Sequence, residues 1–239
     1  PAESAAGITP SNYRYLPGDV RRYGAKGDGT TDDTAAIERA TSAGHPVIFQ
    51  SGKTYKCTPI EFEGVDIDWS VDGEEPATLY CDTVPSSYMA TFTGDTTPVL
   101  STTVATAAYP MDVEVELASV TGLAVGDLVV IQNTTPWQSE DRDTAFEGQI
   151  AKLQEIDGTT IVLDAVLACG MPVGATVVAY RPIKVRMRGI RFQRLKLTES
   201  SRGVLVQYAD EPRLTNVEVI DCTRYDLHAH RWYRGGVYG

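Results

Sequence analysis

No run of about 18 apolar residues occurs anywhere in the sequence, so it offers no helical membrane span and membrane insertion is not expected. Positive charge is in deficit: 21 Lys and Arg face 32 Asp and Glu, a formal net charge of −11. A general nucleic-acid binder needs a cationic face, so nucleic acid is not expected as a partner. Histidine is scarce, with three residues, and so is cysteine, with four. Cys57, Cys81, Cys169 and Cys222 form no C-x-x-C pair, and no histidine stands at zinc-ligand spacing from them. They read as free buried thiols of a reducing compartment, since a secreted disulfide scaffold is denser in cysteine. Neither a metal nor a cofactor is expected. The opening PAESAAGITPSNYRYLPGD lacks a basic stretch followed by an apolar one, so it is no signal peptide. Synthesis in a cytosol, or prior removal of a leader, follows as an expectation. The closing RWYRGGVYG has neither a charged tail nor a helix stop and reads as a cut through something longer.

What is present is an ordinary folded composition, 42% hydrophobic and 22% charged over 239 residues. That length suits one large domain, or one domain carrying an insert. Short β-prone runs recur between Gly and Pro: Val47–Phe49, Val65–Trp69, Val113–Leu117, Leu128–Ile131, Thr160–Leu163, Thr176–Tyr180, Val204–Tyr208 and Val217–Ile220. One segment differs. Thr31-Asp32-Asp33-Thr34 offers N-caps to a helix whose Ala36, Ile37 and Ala40 share a face, with Gly44 as its stop.

A repeat is visible. Met187-Arg188-Gly189-Ile190-Arg191-Phe192 matches Leu214-Thr215-Asn216-Val217-Glu218-Val219 at an offset of 27, and Leu195 matches Cys222. Phe62-Glu63-Gly64-Val65-Asp66-Ile67 reads as a third copy. Gly and Asn tolerate positive φ and mark a turn, and the apolar–polar–apolar triplet after it is a strand with one face inward. A turn and an inward strand recurring every 20–30 residues or so describe the rungs of a parallel β-helix. The copies at Phe62 and Met187 lie 125 residues apart, too far for one rung. Residues 98–182 are therefore read as a β-rich, small barrel-like insert, with Asp157-Gly158 as a hairpin turn. Thr91–Thr106 and Tyr180–Lys184 are its expected hinges. Charge divides unevenly: residues 181–239 hold 12 Lys or Arg against 6 Asp or Glu, the rest 9 against 26. Solvated outward faces explain this, and so does attraction of an acidic polymer to the solenoid wall.

The stretch from Val20 to Ile37, VRRYGAKGDGTTDDTAAI, resembles the opening motif of pectate-lyase-like parallel β-helix proteins, a group that includes bacteriophage tailspikes, polysaccharide depolymerases, polygalacturonases and alginate epimerases. It covers about 18 residues and speaks for fold more than for function. The resemblance implies an all-β chain: a right-handed parallel β-helix with an N-terminal capping helix and a β-rich insert. Residues 1–19 are then a connecting segment, 20–97 the capping helix and first rungs, 98–182 the insert, and 183–239 further rungs of a truncated solenoid. Physically, the helix covers the open apolar end of the stack. Gly24, Gly27 and Gly29 make the turns into it, and Asp28, Asp32 and Asp33 cap backbone N–H groups. The D-x-D-x-D-G spacing of a calcium loop is absent, and the glycines read G-x-x-G-x-G, which is not a dinucleotide fingerprint.

Within that group, the short head without an export signal points to a phage tailspike, made in the host cytoplasm and carried on the virion tail. The resemblance implies a homotrimer that meets bacterial cell-surface polysaccharide and a tail or baseplate protein. Trp232, Tyr233 and Tyr238 read as exposed aromatics for the trimer contact. The G-H-G of polygalacturonases and the D-P-H-E of epimerases are missing, so the catalytic residues of a lyase or hydrolase are expected beyond residue 239. Two other readings stay open, a non-catalytic structural or adhesin module and a bacterial uronate-polymer lyase or epimerase. The one cluster with chemistry is at the end. Alternation places Asp226, His228, His230 and Trp232 on one face, and Tyr225, Leu227, Ala229, Arg231 and Tyr233 on the other. Asp226 with His228 or His230 suits acid/base work, and Trp232 and Arg231 suit carbohydrate binding. A solvated face accounts for the same residues. Trp69 and Trp137 read as packing or surface anchors.

Overall fold

The computed structural model describes residues 2–82, 88–136, 146–194, 202–222, 225–234 and 236–238. In chain order the first elements are α1 (Ala2–Ala5), β1 (Asp28–Asp32), α2 (Thr34–Ser42), β2 (Val47–Phe49), β3 (Thr54–Lys56), β4 (Ile60–Glu63), β5 (Ile67–Val71), β6 (Ala77–Cys81) and β7 (Tyr88–Thr93). Then come β8 (Leu100–Thr103), β9 (Glu114–Glu116), β10 (Leu128–Pro136), β11 (Phe146–Asp157), β12 (Thr160–Leu163) and β13 (Thr176–Tyr180). The chain closes with β14 (Val185–Arg188), β15 (Ile190–Arg194), β16 (Arg202–Asp210), β17 (Arg213–Thr215), β18 (Glu218–Ile220), β19 (Tyr225–Tyr233) and β20 (Gly236–Tyr238). It divides into two units, Pro1–Thr93 with Ile183–Gly239, and Gly94–Pro182.

The first unit is three parallel sheets. Sheet A runs β2-β5-β14-β17-β20, sheet B runs β1-β3-β6-β15-β18, and sheet C runs β4-β7-β16-β19. From β2 onward the chain visits A, B and C in fixed rotation, and each strand bonds to the one laid down a circuit earlier. Alternation along each strand sends every second side chain inward, so like positions stack in rows. Val47, Trp69, Met187 and Leu214 form one such row. Phe62, Phe92, Val206 and Ala229 form another, in which the rings of Phe62 and Phe92 lie 6.1 Å apart and parallel within 5°.

Met187 stands beside Leu214 and Phe192 beside Val219, so the offset of 27 is the length of one circuit. Gly189 and Asn216, with φ of 73° and 50°, turn the chain from sheet A to sheet B. The third copy is a correction. Phe62 lies in sheet C beside Phe92, and Gly64 turns the chain from sheet C to sheet A. The true partner of Met187 in the earlier circuit is Trp69. There the turn into sheet B runs through Asp72–Pro76, and the longer corner breaks the spacing a sequence match relies on. Leu195 falls outside the described residues.

The second unit is one antiparallel sheet, β8-β13-β10-β11-β12-β9, and the bridge Val104↔Leu117 joins its two edges. Gly158, at φ 60°, turns β11 into β12. Val115, Leu117, Val129, Ile131, Leu153, Ile161 and Val177 belong to a core of its own. It begins at Gly94, four residues before the boundary expected from composition, because the Asp95 N–H already donates to the Arg181 carbonyl at 3.1 Å.

The point of insertion follows from register. Thr93 pairs with Gln207 of β16, and Ile183 pairs with Ala209 two places on. Residues 94–182 thus leave and rejoin the same ladder across a gap of one strand position.

Candidate functional site

The N-terminal end of the three-sheet unit is covered by α2, whose Ala36, Ile37, Ala40 and Thr41 are buried. The main-chain oxygen of Asp33 accepts from the Ala36 and Ile37 N–H groups, both at 3.0 Å. Its carboxylate points away from the helix, accepting from Lys26 N at 2.7 Å and Gly27 N at 3.0 Å. Burial pushes this carboxyl up, against the pull of those two N–H groups. The Asp32 carboxylate takes the Thr34 N–H at 3.0 Å, and Asp28 takes those of Thr30 and Thr31 at 2.9 and 2.7 Å. Gly24 and Gly29 have positive φ. Gly27 is the tightest position: at φ 61°, an added Cβ would lie 3.0 Å from the Tyr55 ring and 3.1 Å from Lys53. The bonding of these carboxylates is local, to backbone and threonine.

Residues 2–19 pack onto the same end. The Glu3 carboxylate accepts from Arg22 at 2.6 and 2.9 Å and from the Tyr23 hydroxyl at 2.8 Å. The Arg22 guanidinium holds the Glu3 carboxyl down at about 2, against an ordinary 4.5. Because the folded value is depressed, the bond's contribution is full above the ordinary value and is lost as pH falls towards about 2. Thermal midpoints of the protein and of Glu3→Gln should therefore differ most near neutral pH and converge as acid is added. A difference that stays constant down to the acid limit would contradict this.

The histidine cluster lies on the outer side of sheet C, across β7, β16 and β19. The His228 ring hydrogen-bonds through Nδ1 to the Tyr88 hydroxyl, and its centroid is 6.1 Å from that of His230. Tyr208 lies 6.4 Å from His230 and accepts a hydrogen bond from Arg231 Nη1 at 2.5 Å. The Arg202 guanidinium sits 5.3 Å above the Tyr88 ring, and that of Arg231 5.2 Å above Tyr208. Partial burial, then the charges of Arg231 and His228, hold the His230 imidazole below its usual range, so the neutral base is favoured. His228 and His230 share a face, as alternation expects. The side chains of Asp226, Trp232 and Tyr238 are outside the described residues, as is Trp137.

Two expectations need correcting. Strict alternation fails at Arg231, whose φ is 54°, opposite a Tyr208 at φ 50°, and the paired irregularity puts Arg231 against Tyr208. Tyr233 is buried, 6% exposed, so it offers no aromatic surface for a neighbouring copy. Trp69 is core. Cys57 and Cys81 are buried, and burial pushes the Cys57 thiol far above its ordinary range, while Cys169 and Cys222 are only half-buried.

One surface is not apparent from the sequence. On β14, Val185 and Met187 point inward and Arg186 and Arg188 are exposed, with Arg186 beside Arg213 of β17. Its sequence signal is the alternation V-R-M-R, which looks like any solvated strand face until register sets a third arginine against it.

No family model matches the chain, and no curated protein does. Solved structures do. The tailspike protein gp49 from Pseudomonas phage LKA1 is similar with a TM-score of 0.66 at 19% identity, over 83% of this chain and 38% of that one. The Pseudomonas phage phi297 tailspike gp61 gives 0.65 at 17% identity, over 93% and 46%. The Gp54 tailspike of Acinetobacter baumannii bacteriophage AP22, solved in complex with A. baumannii capsular saccharide, gives 0.57 at 13%, over 99% and 35%. The chain spans less than half the length of each, and at these identities the likeness is one of fold.

Proposed function

We propose that this chain is the N-terminal part of a phage tailspike that recognises and depolymerises bacterial surface polysaccharide, on a virion tail and as a homotrimer. The observation that carries the reading is the fixed rotation through three parallel sheets, interrupted by an antiparallel unit, in a chain similar along 83% or more of its length to three tailspikes. The three-sheet unit is then a right-handed parallel β-helix. Crossovers between parallel strands of one sheet are right-handed in about 98% of cases, which supports that hand.

A β-helix suits a polysaccharide because its outer faces are long and flat and present side chains at regular intervals. With the buried Tyr88 and Tyr208 rings behind them, the half-buried His228 and exposed His230 imidazoles give sheet C rings to lie against a sugar face, and Arg231 gives donors for hydroxyls. His230, kept neutral, can accept a proton; cleavage needs a second group to donate one, and Asp226 is the nearest carboxyl in sequence. The test is retention of purified capsular polysaccharides and lipopolysaccharides from Pseudomonas and Acinetobacter strains on the immobilised protein, with mass spectrometry of anything released. Retention of at least one polymer supports the reading, and shortened fragments support cleavage. Retention of none across such a panel would overturn it.

A further inference from the structure

We propose that the outer face of sheet A binds an anionic polysaccharide lengthwise, through Arg186, Arg188 and Arg213. The cationic surface stands on the structure, and the choice of a saccharide rests on the function proposed above.

Parallel register places Arg186 between Asp68 on one side and Arg213 on the other, with Arg188 beside Thr215. Neighbouring strands are about 4.8 Å apart, and like charges directly opposite are destabilising. Yet the side chains of Arg186 and Arg188 form no ion pair or hydrogen bond with any described residue, and Arg213 reaches Glu211 only at 3.8 Å. Elsewhere the protein pairs its arginines closely: Arg21 with Asp19, Arg22 with Glu3 and Arg191 with Glu218, all at 2.6 Å. Arg186 and Arg188 thus lack the close carboxylate bond that those three arginines have.

The relief of the surface shows the shape of the ligand. A depression of about 370 Å³ lies among Asp68, Ser70, Arg186, Arg188, Arg213 and Thr215. It shares Arg186 with one of about 480 Å³ that takes in Lys184 and His45, and Arg188 with one of about 490 Å³ that reaches Asn216. Arg186 and Arg188 are each a post between two basins, an arrangement that fits a linear polymer better than a compact ion. Lys184, Arg186 and Arg188 recur at every second residue, about 6.7 Å apart along the strand. Guanidinium forks hold carboxylates through two parallel N–H···O bonds, which a lysine cannot do. No exposed Phe, Tyr or Trp lines these basins, so they offer no platform for nucleobases. Carboxylates line the basins as well: Asp68 stands beside Arg186 in two of them, Asp66 shares one of those, and Glu74 and the Arg191-paired Glu218 stand in the third, where they can accept from sugar hydroxyls.

The experiment is calorimetric titration of the full chain with three polymers: polymannuronate, the same polymer with its carboxyls reduced to alcohols, and inorganic polyphosphate. Polymannuronate should bind, more weakly as salt rises, and its reduced form should not. Arg186→Gln/Arg188→Gln should weaken binding about tenfold or more, and Arg186→Lys/Arg188→Lys should restore only part of it. Arg14→Gln, also at an exposed arginine, should change nothing. Equal binding by the protein and by Arg186→Gln/Arg188→Gln, equal binding of the reduced polymer, or tighter binding of polyphosphate would each overturn the inference. A host capsule bound equally with and without the two arginines would overturn it while leaving the tailspike reading standing. Failure to retain any capsule would remove that reading, and the polymannuronate titration would still decide the surface.

Discussion

Ile37→Asp is expected to abolish cooperative unfolding of the three-sheet unit. Ile37 is fully buried on α2, within the core that also holds Val20, Tyr23, Val47 and Trp69. A carboxylate introduced there enters an apolar core, and burying an unpaired charge costs several kcal/mol. That is a large part of the roughly 5–15 kcal/mol by which a domain is stable. Ile37→Val, which keeps the apolar surface, should cost only about 0.5–1.5 kcal/mol. The measurement is thermal unfolding followed by near-ultraviolet circular dichroism. A midpoint for Ile37→Asp equal to that of the parent would show that α2 does not cover the end of the stack.

Trp69→Ala should destabilise the same unit by about 3–5 kcal/mol, the usual loss for a large buried aromatic. Trp69 is 1% exposed, with the rings of Phe49 and Phe92 at 5.3 Å and that of Phe62 at 6.0 Å. Its indole N–H donates to the Thr41 hydroxyl at 3.2 Å, and that hydroxyl donates to the Ile37 carbonyl at 2.9 Å. One residue of β5 thus ties the interior of the first circuits to the covering helix. Trp69→Phe keeps a ring and drops the hydrogen bond, so it should lose appreciably less. Urea unfolding measures both variants. A loss below about 1 kcal/mol for Trp69→Ala would contradict the packing described, since deletions of this size at well-packed sites do not cost so little.

Much of the fold is legible in the sequence. Val47–Phe49, Thr160–Leu163 and Thr176–Tyr180 are strands with the bounds the sequence suggests, because β-branched residues between turn formers leave little choice. The 27-residue circuit is legible because two successive turns from sheet A to sheet B have the same length. The link to Phe62–Ile67 is not, because a six-residue pattern of apolar residues around a glycine describes any corner of such a fold, and register alone says which. The candidate site divides in the same way. Histidines at 228 and 230 stand out as rare residues in alternation. Arg186, Arg188 and Arg213 do not: the 27-residue offset sets Arg186 beside Arg213, but arginines alternating with apolar residues look like any solvated strand face. The face taken by Arg231 is hidden too, because a positive φ at a non-glycine residue leaves no mark in the sequence.

The proposed function puts recognition on the three-sheet unit, which holds Arg186, Arg188, Arg213, His228 and His230. Thr93 and Ile183 flank a gap of one position on the ladder of β16, so Gly94–Pro182 can be replaced by a two-residue Gly-Ser bridge. The measurement is the affinity of that shortened chain for a polysaccharide that the full chain retains. The account predicts a dissociation constant within about twofold of the parent, since Arg186, Arg188, Arg213, His228 and His230 all lie outside the deleted residues. A folded shortened chain that no longer binds would place recognition in the insert and contradict the account.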